Sequence, residues 1–214
     1  MKALKVLAMA IVLGGAVAPA SATFISVTGP NSLKGGTPAI IAAPTDVNDG
    51  AAFNLAQQGF NEVQNFLLVA DLAVDGGVIA AGTVVSSHMI FLNNQPGDNS
   101  LNENEGVAWT LDGNILGVMS EYSGSLEVAS SAFLGAPGTA YPLATFNARG
   151  MEVDDSYSFL LNVITVNSRI RQPGDWIRVI TAGTDTSIPE PASMLLLGSG
   201  MAGLLLARRS RKTS

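Results

Sequence analysis

The sequence predicts an all-β fold, an antiparallel β-sandwich of jelly-roll-like form, between a hydrophobic segment at each end of the chain. Three observations predict it: apolar runs are short, turn residues separate them, and side chains within the runs alternate between apolar and polar. Many short strands with regular turns are typical of a sandwich. We therefore divide the 214 residues into an N-terminal segment 1–22, a β domain 23–187 and a C-terminal segment 188–214.

The N-terminal segment has the pattern of a secretory signal peptide. Two lysines precede an apolar run over residues 7–17, and Ala20 and Ala22 form the small-x-small pattern that signal peptidase cleaves. Thr23 is therefore the expected N-terminus after export. An uncleaved membrane anchor is the alternative, but the apolar run is short for a complete span.

Turn residues in the β domain predict three hairpins, because Asp-Gly and Pro-Gly between apolar runs favour chain reversal. The turns and the strands that they separate are Asp75-Gly76-Gly77 between 66–74 and 78–85, Asp112-Gly113 between 107–111 and 115–119, and Pro173-Gly174 between 163–170 and 176–181.

Two periodicities add detail to this prediction. Apolar and polar residues alternate from Tyr157 to Val163, which indicates one continuous strand. Phe53, Ala56 and Phe60 instead recur at three- and four-residue steps, and Gly59 interrupts the run, which indicates a short helix or an irregular loop near 50–58. A strand is expected to follow from about residue 62.

Composition excludes several classes of protein. The chain has no cysteine and one histidine, which rules out disulfides, thiolate metal sites and multi-histidine zinc sites. Residues 23–187 contain 5 basic and 16 acidic side chains, a net charge of -11. Such an acidic domain repels phosphates, so we expect no nucleic-acid partner.

His88 is the first candidate for chemistry. A histidine can act as general base beside a serine and an aspartate. The sequence has no Gly-x-Ser-x-Gly elbow, however, and His88 lies in the apolar run 83–92. A half-buried or binding-face histidine is therefore the favoured interpretation.

An acidic, Asn-rich loop over residues 93–106 is the second candidate. Carboxylate and amide oxygens in a flexible loop are the ligands that Ca²⁺ prefers, so Asp98, Glu103 and Glu105 could bind it. The residue order is not that of an EF-hand, and a solvated loop is the favoured alternative. No other cofactor is expected.

Carboxylate pairs and exposed aromatic rings would indicate a glycosidase or a sugar-binding protein. A retaining glycosidase needs two carboxylates about 5–5.5 Å apart. Trp109 and Trp176 could stack on sugar, although core packing is expected because both lie in strands. The glutamates that could form such a pair are Glu103, Glu105, Glu121, Glu127 and Glu152.

The C-terminal segment consists of a short proline-containing motif, an uncharged apolar run and a basic cluster. The apolar run is long enough for a helix of roughly 24 Å, somewhat short of a bilayer core, and flanking arginines can reach the interface. The basic cluster is expected to stay cytoplasmic, with the β domain outside. The three parts are Pro189-Glu190-Pro191, residues 192–207, and Arg208, Arg209, Arg211 and Lys212.

This segment resembles the PEP-CTERM sorting signal, which has a Pro-Glu-Pro motif, a short hydrophobic helix and a basic cluster in the same order. The resemblance implies membrane attachment through the helix, then recognition by exosortase, a membrane Cys transpeptidase-like enzyme. It further implies release or transfer to the outer surface of a Gram-negative bacterium that makes an extracellular polysaccharide. A plain membrane anchor is the alternative.

The β domain resembles a recurrent extracellular domain of PEP-CTERM proteins in the stretches 76–83, 87–88, 116–120 and 174–179. The last stretch is also similar to the final strand of jelly-roll carbohydrate-binding modules. We therefore expect a non-catalytic, exported protein of the cell envelope or extracellular matrix that associates with polysaccharide. A secreted polysaccharide hydrolase and a Ca²⁺-dependent adhesin are the alternatives.

Overall fold

The computed structural model describes residues 22–183, which form twelve strands and one helix. Apart from Ala22, the predicted signal peptide lies outside the described residues, as does the whole C-terminal segment. The bounds are β1 (Phe24–Thr28), β2 (Ala39–Ile40), β3 (Gln58–Asn61), β4 (Phe66–Leu67), β5 (Leu72–Val74), β6 (Gly77–Ile79), β7 (Val84–Leu92), β8 (Asn102–Leu111), β9 (Ile115–Met119), α1 (Ser125–Leu134), β10 (Ser156–Leu160), β11 (Val163–Ile170) and β12 (Asp175–Ala182).

The strands form two main sheets and one small hairpin. The smaller main sheet has the order β1-β8-β11-β10, and the larger has the order β2-β3-β7-β12-β9, with β4 also paired to β7. Strands β5 and β6 form the hairpin at Asp75-Gly76-Gly77 that the sequence predicts. Pairing among the described strands is antiparallel except between β2 and β3, so the all-β, antiparallel prediction is confirmed.

Side chains from both main sheets share one apolar core. Trp109 on β8 and Ile164 on β11 belong to the same buried cluster as Ile90 on β7 and Val179 on β12. Each fully buried side chain of this size contributes roughly 1.5–3 kcal/mol to stability. Gly59 on β3 leaves room for the indole, because a Cβ there would lie 2.6 Å from the Trp109 ring.

The opposite face of the larger sheet is covered by segments that connect the strands. Met89 and Phe91 on β7 and Trp176 on β12 form a second cluster with Val47 and Tyr141 from the connecting segments. Both faces of β7 and β12 are therefore buried, so nearly every residue of these two strands is inside the domain. Within residues 22–183, no helix is both long and apolar enough to cross a membrane.

Two of the three predicted hairpins are wrong. Asp112-Gly113 joins β8 to β9, and Pro173-Gly174 joins β11 to β12, but each pair of strands lies in different sheets. Strand β9 pairs with β12, and β8 pairs with β11. A turn dipeptide reverses the chain without selecting its hydrogen-bonding partner, so these turns cross from one sheet to the other.

The continuous strand predicted from Tyr157 to Val163 is also wrong. Strand β10 ends at Leu160, and a two-residue turn of Leu161 and Asn162 leads into β11. Leu161 has a φ of 55°, a left-handed conformation that bulky residues rarely adopt. Because leucine is not a turn-forming residue, the apolar alternation concealed the turn.

Of the two alternatives for residues 50–58, the irregular loop is confirmed and the helix is wrong. This segment contains turns and the start of β3, and Phe53 is exposed although Ala56 and Phe60 are buried. The strand expected from about 62 instead ends at Asn61. The helix in the described residues is α1, whose buried face includes Glu127 and therefore lacks a continuous apolar stripe.

Candidate functional site

A buried cluster of two arginines and two glutamates lies between the larger sheet and α1. Arg178 comes from β12, Glu62 follows β3, Glu127 comes from α1, and Arg149 precedes β10. Arg178 donates from Nε and Nη2 to the two carboxylate oxygens of Glu62 at 2.7 and 2.8 Å. Arg149 Nε donates to Glu127 Oε2 at 2.8 Å. Arg178 Nη2 lies 3.4 Å from Glu127 Oε1 and so connects the two pairs.

The surrounding polar groups complete this cluster. Arg178 Nη1 also donates to the Glu127 carbonyl at 2.6 Å and to Ser130 Oγ at 2.7 Å, while Ser87 Oγ donates to Glu62 Oε2 at 2.5 Å. Burial by itself lowers the pKa of Arg178, but the neighbouring Glu62 carboxylate outweighs it and the net shift is upward. Buried charges need this degree of pairing to be tolerated.

The cluster connects parts of the fold and lies in the interior of the domain. Each of its side chains is at least nine-tenths buried. Of the other glutamates considered for a hydrolase, Glu103 pairs with Arg169, and Glu121 accepts a hydrogen bond from the Leu126 backbone N.

No sequence motif predicts a functional role for Glu62, Arg149 or Arg178. One signal was available for Arg178: it shares a strand face with Trp176 and Ile180, which are both apolar, so its side chain was to be expected on a buried face.

His88 is more deeply buried than expected, between the two main sheets. One ring nitrogen, Nδ1, lies 2.9 Å from Asn61 Oδ1, and the other, Nε2, lies 3.0 Å from Thr181 Oγ1. The ring also packs against Phe24, with 5.1 Å between centroids. Burial lowers the pKa of His88 from 6.5 to about 3, so the imidazole is neutral at ordinary pH.

The predicted Ca²⁺ ligands have separate partners. Asp98 Oδ2 lies 2.6 Å from Lys34 Nζ, and the hydrogen bond from this ammonium lowers the pKa of Asp98. Glu103 Oε1 lies 3.2 Å from Arg169 Nε, and Glu105 is exposed on β8. Residues 22–183 contain no group of three or more histidine, aspartate and glutamate side chains suited to a metal. Ca²⁺ binding stays a prediction, which melting curves in Ca²⁺ and in chelator would test.

Trp109 and Trp176 both pack inside the domain, as expected. Trp109 Nε1 donates to Gln57 Oε1 at 3.1 Å, and Trp176 Nε1 donates to the Val47 carbonyl at 2.8 Å. Neither indole is on the surface, so neither is available to stack on a sugar.

Asp175 is a second buried ionisable group, at the start of β12. Its Oδ2 atom has no hydrogen-bond partner among the described residues. Burial, followed by the charges of Asp155 and Glu152, raises the pKa of Asp175 well above its ordinary value. The sequence contained no signal for the burial of Asp175, because this residue follows a turn and would be expected in solvent.

The predicted signal cleavage site lies at the edge of the folded domain. Ala22 is fully buried beside Gly113, and the Thr23 backbone N donates to Asp112 Oδ1 at 2.5 Å. Ala22 is thus buried while Thr23 is half-exposed, and cleavage between them stays a prediction. Ala20 lies outside the described residues.

The fold and these sites define an all-β protein in which His88, Asp175 and the Arg–Glu cluster are buried. Residues 187–212 match the family model described as the PEP-CTERM protein-sorting motif. The chain therefore carries a PEP-CTERM sorting motif, and the resemblance of its C-terminal segment is confirmed. The motif implies an exported protein that is anchored in a membrane before exosortase processes it. Neither a curated protein nor a solved structure matches the chain.

Proposed function

We propose that this protein is a non-catalytic component of the cell envelope or extracellular matrix, delivered by exosortase to the outer surface of a Gram-negative bacterium. The observation that carries this proposal is the match of residues 187–212 to the sorting motif. A signal peptide at residues 1–22 would start export, and the apolar run 192–207 would hold the chain in the membrane until processing.

A β-sandwich is the architecture that best accounts for the β domain. Its support is the single apolar cluster to which both main sheets contribute, since two facing sheets must bury their inner faces against each other. The jelly-roll refinement has less support, because β1 pairs with β8 and the final strand β12 lies in the other sheet.

A non-catalytic role agrees with the state of the ionisable groups. His88 is neutral, buried and bonded through both ring nitrogens. The Glu62 and Glu127 carboxylates are neutralised by buried arginines. General acid–base catalysis needs a group that can reach substrate and exchange a proton near the working pH. Association with extracellular polysaccharide follows from what the sorting signal implies about the host.

The test replaces Pro189, Glu190 and Pro191 by alanine in the full chain. Prolines disfavour helix on their N-terminal side, so the motif is expected to be extended and accessible where the apolar run begins. We expect the variant to fold but to remain membrane-bound and unprocessed. Mass spectrometry and cell fractionation, with and without exosortase, measure this.

The matched control is Thr184→Ala with Asp185→Ala, which changes residues a few positions before the matched motif. This control should be processed normally. Normal processing of the Pro-Glu-Pro variant would instead show that the tail is only an anchor. Binding of the released protein to a glycan array tests the polysaccharide association separately.

A further inference from the structure

The chain enters and leaves the β domain at the same end. Gly183, the last described residue, donates its backbone N to the Val84 carbonyl at 2.9 Å, and Ala182 donates to the Asn114 carbonyl at 2.8 Å. The Asp112 backbone N donates to the Thr23 carbonyl at 3.0 Å. The start of β7, the β8–β9 connection and the end of β12 therefore lie together, and we name this region the exit end.

The turn between β10 and β11 also lies at the exit end. The Ile115 backbone N donates to the Leu161 carbonyl at 2.8 Å, and Leu111 N donates to the Asn162 carbonyl at 2.9 Å. The side chains of Leu160 and Leu161 are 76% and 66% exposed. Two adjacent leucines thus project from a tight turn beside the point where the chain leaves the domain.

Other exposed apolar side chains lie at the same end. Val69 is 88% exposed, and its neighbour Leu68 donates its backbone N to the Thr83 carbonyl, next to the start of β7. Leu67, also exposed, pairs with Val84. Single exposed apolar side chains are ordinary on protein surfaces, and Leu33 and Val153 are exposed at the opposite end. The exit end is distinguished because several such side chains adjoin the point where the chain leaves the domain.

Basic side chains are distributed in the opposite way, although the acidic Asp112 is exposed at the exit end. The basic residues of the described chain outside the buried cluster are Lys34, Arg169 and Arg171. They lie at the other end, where Lys34 bonds Asp98, Arg169 bonds Glu103 and Arg171 bonds the Asn99 carbonyl. The exit end therefore offers apolar contact without positive charge.

The length of chain after Gly183 determines which end can reach the membrane. Residues 184–191 separate the domain from the apolar run that begins at Ala192, and a chain of this length spans at most about 27 Å. The 10-residue strand β8 is itself about 34 Å long. The connection is thus shorter than the domain, which keeps the exit end towards the membrane.

We propose that, before processing, the exit end rests on the lipid bilayer with Leu160 and Leu161 inserted in its interfacial region. The partner is the bilayer surface in which the chain's own apolar run is anchored. This inference rests on the membrane anchoring in the proposed function. Because the contact is apolar, it needs no anionic lipid and should be insensitive to salt.

The test uses the full chain reconstituted in phosphatidylcholine vesicles that contain doxyl-labelled phosphatidylcholine. The chain has no cysteine, so Leu161→Cys can carry a single environment-sensitive fluorophore. Val153→Cys is the matched control, because Val153 is fully exposed and precedes the opposite end of the same β10–β11 hairpin. We expect several-fold stronger quenching and a blue-shifted emission at position 161, unchanged by added salt.

A second measurement keeps the inference independent of the label at the turn. With the fluorophore at Val69→Cys, replacing Leu160 and Leu161 by serine should weaken the quenching, whereas Val153→Ser should not. Equal quenching at positions 161 and 153 in vesicle-bound chain would overturn the inference. Disulfide cross-linking of two unlabelled Leu161→Cys chains, in place of quenching, would assign the surface to a second copy and also overturn it. A chain that does not stay with the vesicles contradicts the anchoring itself, and with it both proposals.

Discussion

The two ends of the β domain differ in surface chemistry although the same strands run between them. The exit end carries exposed leucine and valine side chains, including Leu161 and Val69. The opposite end, formed by the 93–101 loop and the start of β12, carries ion pairs such as Lys34–Asp98. Exposed apolar side chains such as Leu33 and Val153 also lie at the opposite end, and Asp112 is exposed at the exit end, so the two ends differ mainly in their basic side chains and ion pairs.

The interior shows a related contrast between two ionisable groups. His88 has a polar partner on each ring nitrogen, Asn61 and Thr181. Asp175, at the end far from the exit, has one carboxylate oxygen without a partner among the described residues. Burial favours the neutral form of both groups, which lowers the pKa of His88 and raises the pKa of Asp175.

The largest loss of stability is expected from a change in the middle of the domain, because it should destabilise both ends together. Glu62→Gln removes the carboxylate that neutralises Arg178 in the middle of β12. Leaving a buried charge without its partner costs about 3–5 kcal/mol. Urea unfolding should show this loss across the whole domain, while the exposed control Glu105→Gln should unfold like wild type. A loss confined to α1 would show that the two ends do not form one cooperative unit.

A smaller effect concerns pH and His88. Below pH 6.5 the unfolded chain takes up a proton that the folded domain does not accept until about pH 3. The free energy of unfolding should therefore fall as pH decreases through this window, by about 1.4 kcal/mol per pH unit from this group. Urea unfolding at pH 7, 5 and 4 measures the slope, which His88→Gln should reduce whatever its stability at pH 7. Equal slopes for the two proteins would contradict the buried, neutral histidine.

The smallest effect concerns Asp175, whose contribution to the free energy of unfolding changes with pH in the opposite direction to that of His88. Because its folded pKa is raised, the stability that the protonated carboxyl supports is present below the unfolded value of 3.8 and is lost as pH rises through the folded pKa. Asp175→Asn removes this dependence. We expect the variant to gain stability over wild type at pH 7 and to lose that advantage near pH 3, as measured by thermal melting. An advantage that is equal at both pH values would argue against a raised pKa.

Much of the strand content could be predicted from local pattern. The runs that became β7, β9 and β12 alternate or are continuously apolar, and the β5–β6 hairpin follows from Asp75-Gly76-Gly77. The turn at Leu161 could not be predicted, because its strained φ is stabilised by contacts with the β8–β9 connection, distant in sequence. The buried Arg–Glu cluster joins residues from four separate segments, and composition alone could not bring them together.

The sequence by itself determined the β class and the sorting motif, because strand alternation and the order of Pro-Glu-Pro, apolar run and basic residues are local in the chain. Only the tertiary structure decided that Asp112-Gly113 and Pro173-Gly174 cross between sheets, that His88 is sealed, and that Leu161 lies beside Gly183. These features depend on which strands pair and which faces they bury. Pairing is set by the packing of residues far apart in sequence, and that information is not contained in any short segment.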